Sequence, residues 1–332
     1  MMGSFKVLTN WLFLCIAIFS APAVAATYEK HPEALLWMDS MVKEGFSKVY
    51  LEKVLKKAKR QNSILKAFNR PAESRLSWTK YRARFIERGR IESGNKFWRK
   101  HSETLAKAEQ QFGVPAQMIV SIIGVETRYG KVTGSYRVLD ALATIAFDYK
   151  RRSKFFQNEL KEFLLLTKEA SIPYTQPKGS YAGAMGYGQF IPSSYRKYAI
   201  DFDGDGKKDI WKNPKDAIGS VANYLAKHGW IKNSAVVVAA TKVPKEIDKS
   251  WYNNGLDLKV TLGQWQKRAI KGAEKLDQGQ KATLMKLVYD EKDQYWFGLQ
   301  NFYVITRYNR SRYYAMAVYQ LSQIIKAKNK SN

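Results

Sequence analysis

Cysteine is almost missing from this chain: its 332 residues carry one, Cys15, and only three histidines, His31, His101 and His228. Cys15 sits inside an apolar run near the N-terminus. A chain cut behind that run has no thiol, so neither disulfides nor a cysteine nucleophile is available to it. The histidines form no H-E-x-x-H pair, and there is no G-x-S-x-G elbow and no G-K-[ST] phosphate loop. Zinc amidases, serine hydrolases and nucleotide hydrolases are thereby set aside, which leaves carboxylate chemistry. Acids are scarce too, with 29 Asp and Glu against 56 Lys and Arg, for a formal charge of +27.

The N-terminus reads as an export signal. Lys6 precedes an apolar run from Trp11 to Phe19, followed by Ser20-Ala21-Pro22-Ala23-Val24-Ala25. The run is short for a membrane span, and Ala23 and Ala25 are the small residues a signal peptidase needs, so cleavage is expected after Ala25 and the mature chain in the periplasm. Leu12-Phe13-Leu14 before Cys15 lack the small residues of a lipidation site, so membrane anchoring is not expected. Without residues 1–25, which hold Lys6 and no acid, the charge is still +26. Nucleic acid is the default polyanion for such a surface, but an exported chain meets peptidoglycan carboxylates and anionic head groups instead, and no nucleic-acid partner is expected. With 45% hydrophobic residues, the chain can build one large domain or two to three subdomains.

Apolar residues from 31 to 68 recur at helical spacing, and Arg70-Pro71-Ala72-Glu73 interrupts them. Helical patterns follow over 77–90 and 97–112, stopped by Gly113-Val114-Pro115. The stretch 115–129 is apolar on nearly every face, which predicts a buried central helix capped by Gly130. Further helices are expected over 139–149, 152–167, 214–228 and 311–327. The segment 171–192 reads as a turn-rich loop. Between 236 and 304 the alternation of 281–288 and 295–304 predicts a small sheet. No internal repeat or low-complexity block interrupts this order.

Three strings carry the chemistry. The first is Gly124-Val125-Glu126-Thr127-Arg128-Tyr129-Gly130, which ends the apolar helix. A carboxyl among apolar side chains, at the negative end of a helix dipole, is pushed toward its protonated form, as a general acid in sugar cleavage requires. Alone, the same Glu reads more readily as an acid at a helix end that is simply exposed or paired with Arg128. The second string, from Ser180 to Ser193, has glycines at 183, 186 and 188, with Tyr181, Tyr187 and Phe190 as flat faces and Gln189 as a bidentate amide. It suits a carbohydrate cleft wall or an ordinary glycine hairpin. The third, from Asp201 to Asp209, sets carboxylates at loop positions 1, 3, 5 and 9 with Gly206 at position 6. That is a calcium-loop pattern, although Lys212 stands where the closing acid belongs and Asp216 would have to close a longer loop. A solvated acidic turn is the other reading.

In this order the three strings resemble the membrane-bound lytic murein transglycosylase B family, and the likeness extends to Asp148-Tyr149-Lys150-Arg151-Arg152 and to the string from Asn301 to Ser311. The resemblance implies an α+β, predominantly α fold: a lysozyme-like catalytic core with a helical subdomain and a small β subdomain. The expected layout is a helical subdomain over 26–110 joined by a C-terminal helix over 305–332, a core over 111–230 with the calcium loop at 201–216, and a small β-containing subdomain over 231–304. It implies Glu126 as the single catalytic acid and base, cleaving between N-acetylmuramic acid and N-acetylglucosamine to leave a 1,6-anhydromuramyl end. By matching positions, Ser180 and Gln189 border the catalytic subsites. Tyr81 and Tyr308 hold the muramyl ring or N-acetyl group, Asn309 bonds near the reacting centre, and Arg151 and Arg152 meet peptide-stem carboxylates. A structural calcium ion is expected on Asp201, Asp203, Asp205 and Asp216 with the backbone oxygen of Lys207, and no catalytic cofactor. Glycan strands and peptide stems are the expected partners of a monomer. A non-catalytic peptidoglycan-binding protein and a hydrolytic muramidase are the alternatives.

Overall fold

The helices that bury the most apolar side chains fix the centre of the molecule. The computed structural model describes residues 26–69 and 76–330. The export signal and the interruption at Arg70 to Glu73 lie outside the described residues. In chain order the helices are α1 (Pro32–Lys43), α2 (Lys48–Lys57), α3 (Asn62–Phe68), α4 (Trp78–Ala83), α5 (Arg88–Lys100), α6 (Ser102–Phe112), α7 (Ala116–Thr127), α8 (Val138–Asp148), α9 (Ser153–Glu169), α10 (Pro192–Tyr198), α11 (Pro214–Lys227), α12 (Leu262–Lys267), α13 (Gln300–Tyr308) and α14 (Arg312–Lys330). The strands are β1 (Tyr136–Arg137), β2 (Lys178–Gly179), β3 (Val237–Ala239), β4 (Val260–Thr261), β5 (Lys281–Leu287) and β6 (Gln294–Gly298). The fold is α+β and predominantly α.

Every residue of α7 from Ala116 to Val125 is buried, and so is every residue of α8 from Val138 to Phe147. Helices apolar all round can exist only in the interior. α14, α5, α6 and α11 pack around α7, while α9 and α3 pack on α8. The N-terminal segment is tied to α8 through polar groups: the Tyr28 hydroxyl donates to Asp148 at 2.5 Å, and Asp140 accepts from the Lys59 N–H at 2.9 Å and from Arg137.

The sheet after α11 is antiparallel in the order β3-β6-β5-β4. Its two faces serve two cores. Ala282 and Leu284 of β5 join Leu262, Trp265, Ile270 and Phe297 in a small cluster, whereas Met285 and Leu287 join the main core. This is the alternation of a strand covered on both sides.

Four boundaries differ from the sequence reading, each for a local reason. The expected helix over 97–112 is two helices broken at His101, where the backbone leaves helical geometry. The short α10, begun by Pro192, fell inside the region read as loop and its flank. The alternation over 295–304 is a strand only to Gly298. Beyond it Phe302 and Ile305 turn inward at helical spacing, and the buried Asn301 amide holds the start of α13 through Ile231 and Ser234. Finally, α7 stops at Thr127 and is capped by Arg128 at φ 51°, with Tyr129 also left-handed before Gly130.

Tyr129 turns back under the helix it has just left. Its ring packs so close to Gly124 that an added Cβ there would lie 2.5 Å from the hydroxyl and 2.6 Å from the ring. Alanine normally favours a helix interior over glycine by about 1 kcal/mol. Here overpacking should win, and Gly124→Ala should lower stability by about 1–3 kcal/mol in urea unfolding. A variant at least as stable as the parent would show that Tyr129 is not held under α7.

Candidate active site

Glu126 is the one α7 residue from Ala116 to Thr127 that is only half-buried. The side chains around it still strip its carboxyl of water. Burial raises its pKa to about 7, against a smaller lowering by the hydrogen bond from Tyr314. That bond, Tyr314 Oη donating to Glu126 Oε1 at 2.5 Å, spans 188 residues and comes from the buried face of α14. Among the described residues no second carboxylate perturbs Glu126. The Arg128 pairing left open by the sequence is not formed, because Arg128 leaves the helix and is exposed.

Thr127 fixes the end of α7 against the glycine-rich loop. Its buried Oγ1 lies 3.1 Å from the Ile123 carbonyl and 2.9 Å from the Tyr187 carbonyl, and accepts from the Gly130 N–H at 2.9 Å. The Tyr187 ring then lies over Gly130, where a Cβ would come within 2.1 Å of it. Only glycine fits that close approach at a positive φ.

The loop is held from its other side by Tyr308, at the end of α13. Its hydroxyl donates to the Gly188 carbonyl at 2.5 Å, and it lies near enough to Glu126 that, after burial, the carboxylate is a further cause of its strongly raised pKa. Gln189 is left-handed at φ 50°, and its amide nitrogen donates to the carbonyls of Thr133 and Gly186, each at 3.0 Å. The bidentate amide is thus half spent within the loop, leaving Oε1 as its free atom. Ser180 accepts from the Ala184 N–H at 3.1 Å and closes the first turn. Phe190 is buried against Tyr224 and Tyr308 and offers no face to solvent, unlike Tyr181, which is half exposed.

Tyr81 stacks on the buried Trp78 and packs against Phe85 and Tyr313, close enough to Tyr314 to affect its ionisation. Asn309 caps α13 next to Tyr308 and is exposed. Arg151 and Arg152, also exposed, sit in the single 3-10 turn before α9. Arg152 stacks over Phe155 at 4.5 Å, and Phe156, Phe68 and Tyr181 continue this aromatic run to the glycine-rich loop. Two tyrosines, Tyr81 and Tyr308, thus belong to the Glu126 cluster, while the arginines belong to a rim that meets the loop at Tyr181.

In the acidic loop, carboxylate oxygens of Asp201, Asp203, Asp205 and Asp216 lie within 4.8 Å of one another. Both Asp201 oxygens accept backbone N–H groups, from Gly204 at 2.7 Å and Gly206 at 2.8 Å, so the chain wraps the cluster. Asp216 is fully buried and joins the two ends of the loop, accepting from Phe202 and Asp209 N–H groups at 2.8 Å each. Its pKa is raised by burial and, against those two hydrogen bonds, by the charges of Asp203 and Asp201. Converging hard oxygens of one charge fit a divalent cation such as calcium. Asp209, at loop position 9, instead accepts from Trp211 and Lys212 N–H groups and stands outside the cluster. Lys207 is exposed, and its N–H is held by Asp205.

The raised pKa of Glu126 gives a stability test. Between about 4.5, its ordinary value, and about 7, the folded chain keeps a proton that the unfolded chain has lost. Stability from this group is therefore lost as pH rises through that window, by an amount on the order of 1–3 kcal/mol. Glu126→Gln should be the more stable form at pH 8, and the two should converge below pH 4.5. Tyr314→Phe, lacking the hydrogen bond that favours the carboxylate, should extend the window upward. Parallel stability curves for Glu126→Gln and the parent, from denaturant melts across pH 4–8, would mean that Glu126 is not desolvated.

The family model described as Transglycosylase SLT domain matches residues 30–323. The chain is 42% identical over 308 residues to membrane-bound lytic murein transglycosylase B of Escherichia coli K12, an alignment covering 90% of this chain and 84% of that protein. Its structure is similar to that of soluble lytic transglycosylase SltB1 from Pseudomonas aeruginosa, with a TM-score of 0.85 and 49% identity over 91% of this chain and 100% of that one. It is similar also to the E. coli lytic transglycosylase Slt35 in complex with calcium, with a TM-score of 0.81 and 43% identity over 90% and 94% of the two chains. Matched along nearly all its length by sequence and by fold, the chain belongs to the SLT-domain lytic transglycosylases.

Proposed function

We propose that this chain cleaves the β-1,4 bond between N-acetylmuramic acid and N-acetylglucosamine in peptidoglycan without water, using Glu126 as both acid and base. The observation that carries the reading is a carboxyl whose pKa lies near neutrality, bonded to a tyrosine and, among the described residues, with no second carboxylate acting on it. With a pKa of about 7, both of its forms are populated at neutral pH. Protonated, Glu126 gives its proton to the glycosidic oxygen as the bond from that oxygen to muramyl C1 breaks. Ionised, it takes the proton of the muramyl C6 hydroxyl as that oxygen attacks C1, which closes the 1,6-anhydro ring and restores the acid. The Tyr314 hydroxyl favours the ionised form between the two steps.

Sugar hydrolysis by paired carboxylates needs a second acid to activate water or act as nucleophile. An internal hydroxyl needs no such partner, because it is already held at high effective concentration. This favours the lyase over a hydrolytic muramidase, and the tuned carboxyl favours it over a non-catalytic binding protein.

The surrounding residues divide the remaining work. Tyr81 and Tyr308 hold the muramyl ring or its N-acetyl group, with Tyr308 keeping the glycine-rich loop in place as it does so. Ser180 and the free oxygen of Gln189 border the subsites, and Asn309 bonds near the reacting centre. Arg151 and Arg152 meet stem carboxylates. Asp201, Asp203, Asp205 and Asp216, with the Lys207 carbonyl, would hold a structural calcium ion, whose charge fixes the loop and takes no part in bond cleavage. The chain is read as a helical part over 26–110 joined by the C-terminal helix, a catalytic core over 111–230 and a β-containing part over 231–304. The enzyme acts as a monomer in the periplasm, and among the described residues no helix is long and apolar enough to cross a membrane.

Two measurements test this. Mass spectrometry of muropeptides released from purified peptidoglycan should find anhydromuramyl ends with the parent chain and none with Glu126→Gln. Reducing ends would make the chain a muramidase, and turnover by the Gln variant would remove Glu126 from the mechanism. Excess chelator should lower the thermal midpoint and added calcium restore it, since an ion bound only by the native state stabilises it by mass action. A midpoint indifferent to both would leave the acidic loop without an ion.

A further inference from the structure

We infer that a second recognition site, for the free carboxylates of a peptide stem, lies away from Glu126 in the cavity between the end of α9, α10 and the acidic loop. The inference rests on the peptidoglycan reading above and extends it to a site that the cleavage chemistry does not use. The cavity measures about 840 Å³, within the usual size of a ligand cleft. Glu126, Tyr308, Tyr314 and Gln189 are not among its lining residues.

The charge of the walls is one-sided. Lys178, Lys207, Lys208 and Lys212 line the cavity, and no ion pair engages their ammonium groups among the described residues. Two acids also line it, and both are already used. Glu169 pairs with Arg196 at 2.6 Å, and Asp209 accepts the N–H groups of Trp211 and Lys212 at 3.0 and 2.9 Å. Arg196 is itself satisfied, by Glu162 as well as Glu169. The charge left over is positive.

The walls also carry an apolar face. The indole N–H of Trp211 is shielded from solvent and has no acceptor. The half-buried ring is what Trp211 presents to the cavity, with the N–H turned away from the accessible space. Ile172 and the Trp211 ring, both half-buried, line the same space and suit the methyl groups of alanyl residues. A flat polyanion surface would need only the lysines. A short peptide with terminal and side-chain carboxylates uses the lysines and the apolar wall together.

The site is built before any ligand arrives. The Tyr195 hydroxyl donates to the Lys208 carbonyl at 2.7 Å, and the Tyr195 ring packs on Trp211 at 5.3 Å. The Asp209 N–H is held by Asp216 at 2.8 Å, which ties this wall to the acidic cluster. Lys178, also in the lining, opens β2, and Ser180, the first residue of the glycine-rich loop, follows that strand directly. A stem held here is therefore anchored one strand away from the loop beside Glu126, and one glycan strand or its neighbour can be gripped while the other is cut.

The test is an NMR titration of the full chain carrying Glu126→Gln, with free stem tetrapeptide, L-alanyl-γ-D-glutamyl-meso-diaminopimelyl-D-alanine, as the probe. The Trp211 indole resonance, assigned by its loss in Trp211→Phe, should shift saturably. Lys208→Gln with Lys212→Gln should weaken binding roughly tenfold. The peptide with its carboxylates esterified should bind no better to the parent than the acid binds to that double variant. A Trp211 signal unmoved at millimolar peptide, equal binding of the ester, or the same shift from inorganic phosphate at equal concentration would each overturn the site. Cleavage is scored separately with Glu126 intact. Anhydromuramyl release with a silent Trp211 sinks this site alone, whereas a Trp211 response in a chain that releases none upholds the site and removes the cleavage reading.

Discussion

A single hydroxyl, that of Thr127, holds together the parts of this molecule that chemistry needs. A carboxyl must be surrounded by apolar side chains to keep its proton near neutrality, yet it must also reach a substrate. Thr127 ends α7 one residue after Glu126, and its oxygen, shared among Ile123, Tyr187 and Gly130, docks that end on the glycine-rich loop. Two successive non-glycine residues in left-handed geometry follow, at a cost of order 1–3 kcal/mol each. Tyr129 offsets part of it by burying its ring beneath α7 and donating to the Arg90 carbonyl at 2.9 Å.

The same logic joins the loops. The Tyr187 carbonyl meets Thr127, and its N–H donates to the Ile210 carbonyl at 3.0 Å, inside the acidic segment. Gly186 admits no Cβ because Ile210 lies against it, so the two loops fit at backbone level. Asp216 then ties the acidic segment to α11. A cation held by Asp201, Asp203, Asp205 and Asp216 would thus act on Glu126 only mechanically, through Ile210, Tyr187 and Thr127. This is why its contribution is read as stability and not as acid or base.

Much of this was legible in the sequence because it depends on local pattern. A helix apolar all round has nowhere to go but the interior, so the burial of α7 and the raised pKa of Glu126 follow from the residues around it. The spacing of Asp201, Asp203 and Asp205 likewise announces converging oxygens. Tyr314 was not legible. It lies 188 residues from Glu126, in the run Arg312-Tyr313-Tyr314-Ala315-Met316, where nothing separates it from the tyrosine beside it except which face α14 turns inward. Phe190 shows the opposite failure. Its place among glycines suggested an exposed ring, but the chain reverses at the left-handed Gln189 and sends Phe190 into the core. Local spacing gives the type of residue a loop carries, while the handedness of one neighbour decides its direction.

The surplus of positive charge also gains a spatial meaning. If the excess lysines and arginines only kept the protein soluble, they would be spread evenly and partnered where they crowd. Instead Arg152 lies over Phe155 and Phe156, which fixes a guanidinium at the end of an aromatic run leading to the glycine-rich loop. Such stacking keeps the hydrogen-bonding edge of arginine free while restricting its motion, so less entropy is lost when a carboxylate binds. A wall whose lysines make no ion pair among the described residues includes Lys178, at the start of the strand that leads into the same loop. Both basic regions therefore flank the backbone that borders Glu126. On the proposed reading, a polymer with carboxylates at regular intervals would find cationic groups at both ends of that loop, whereas a neutral glycan would meet only its aromatic and amide groups.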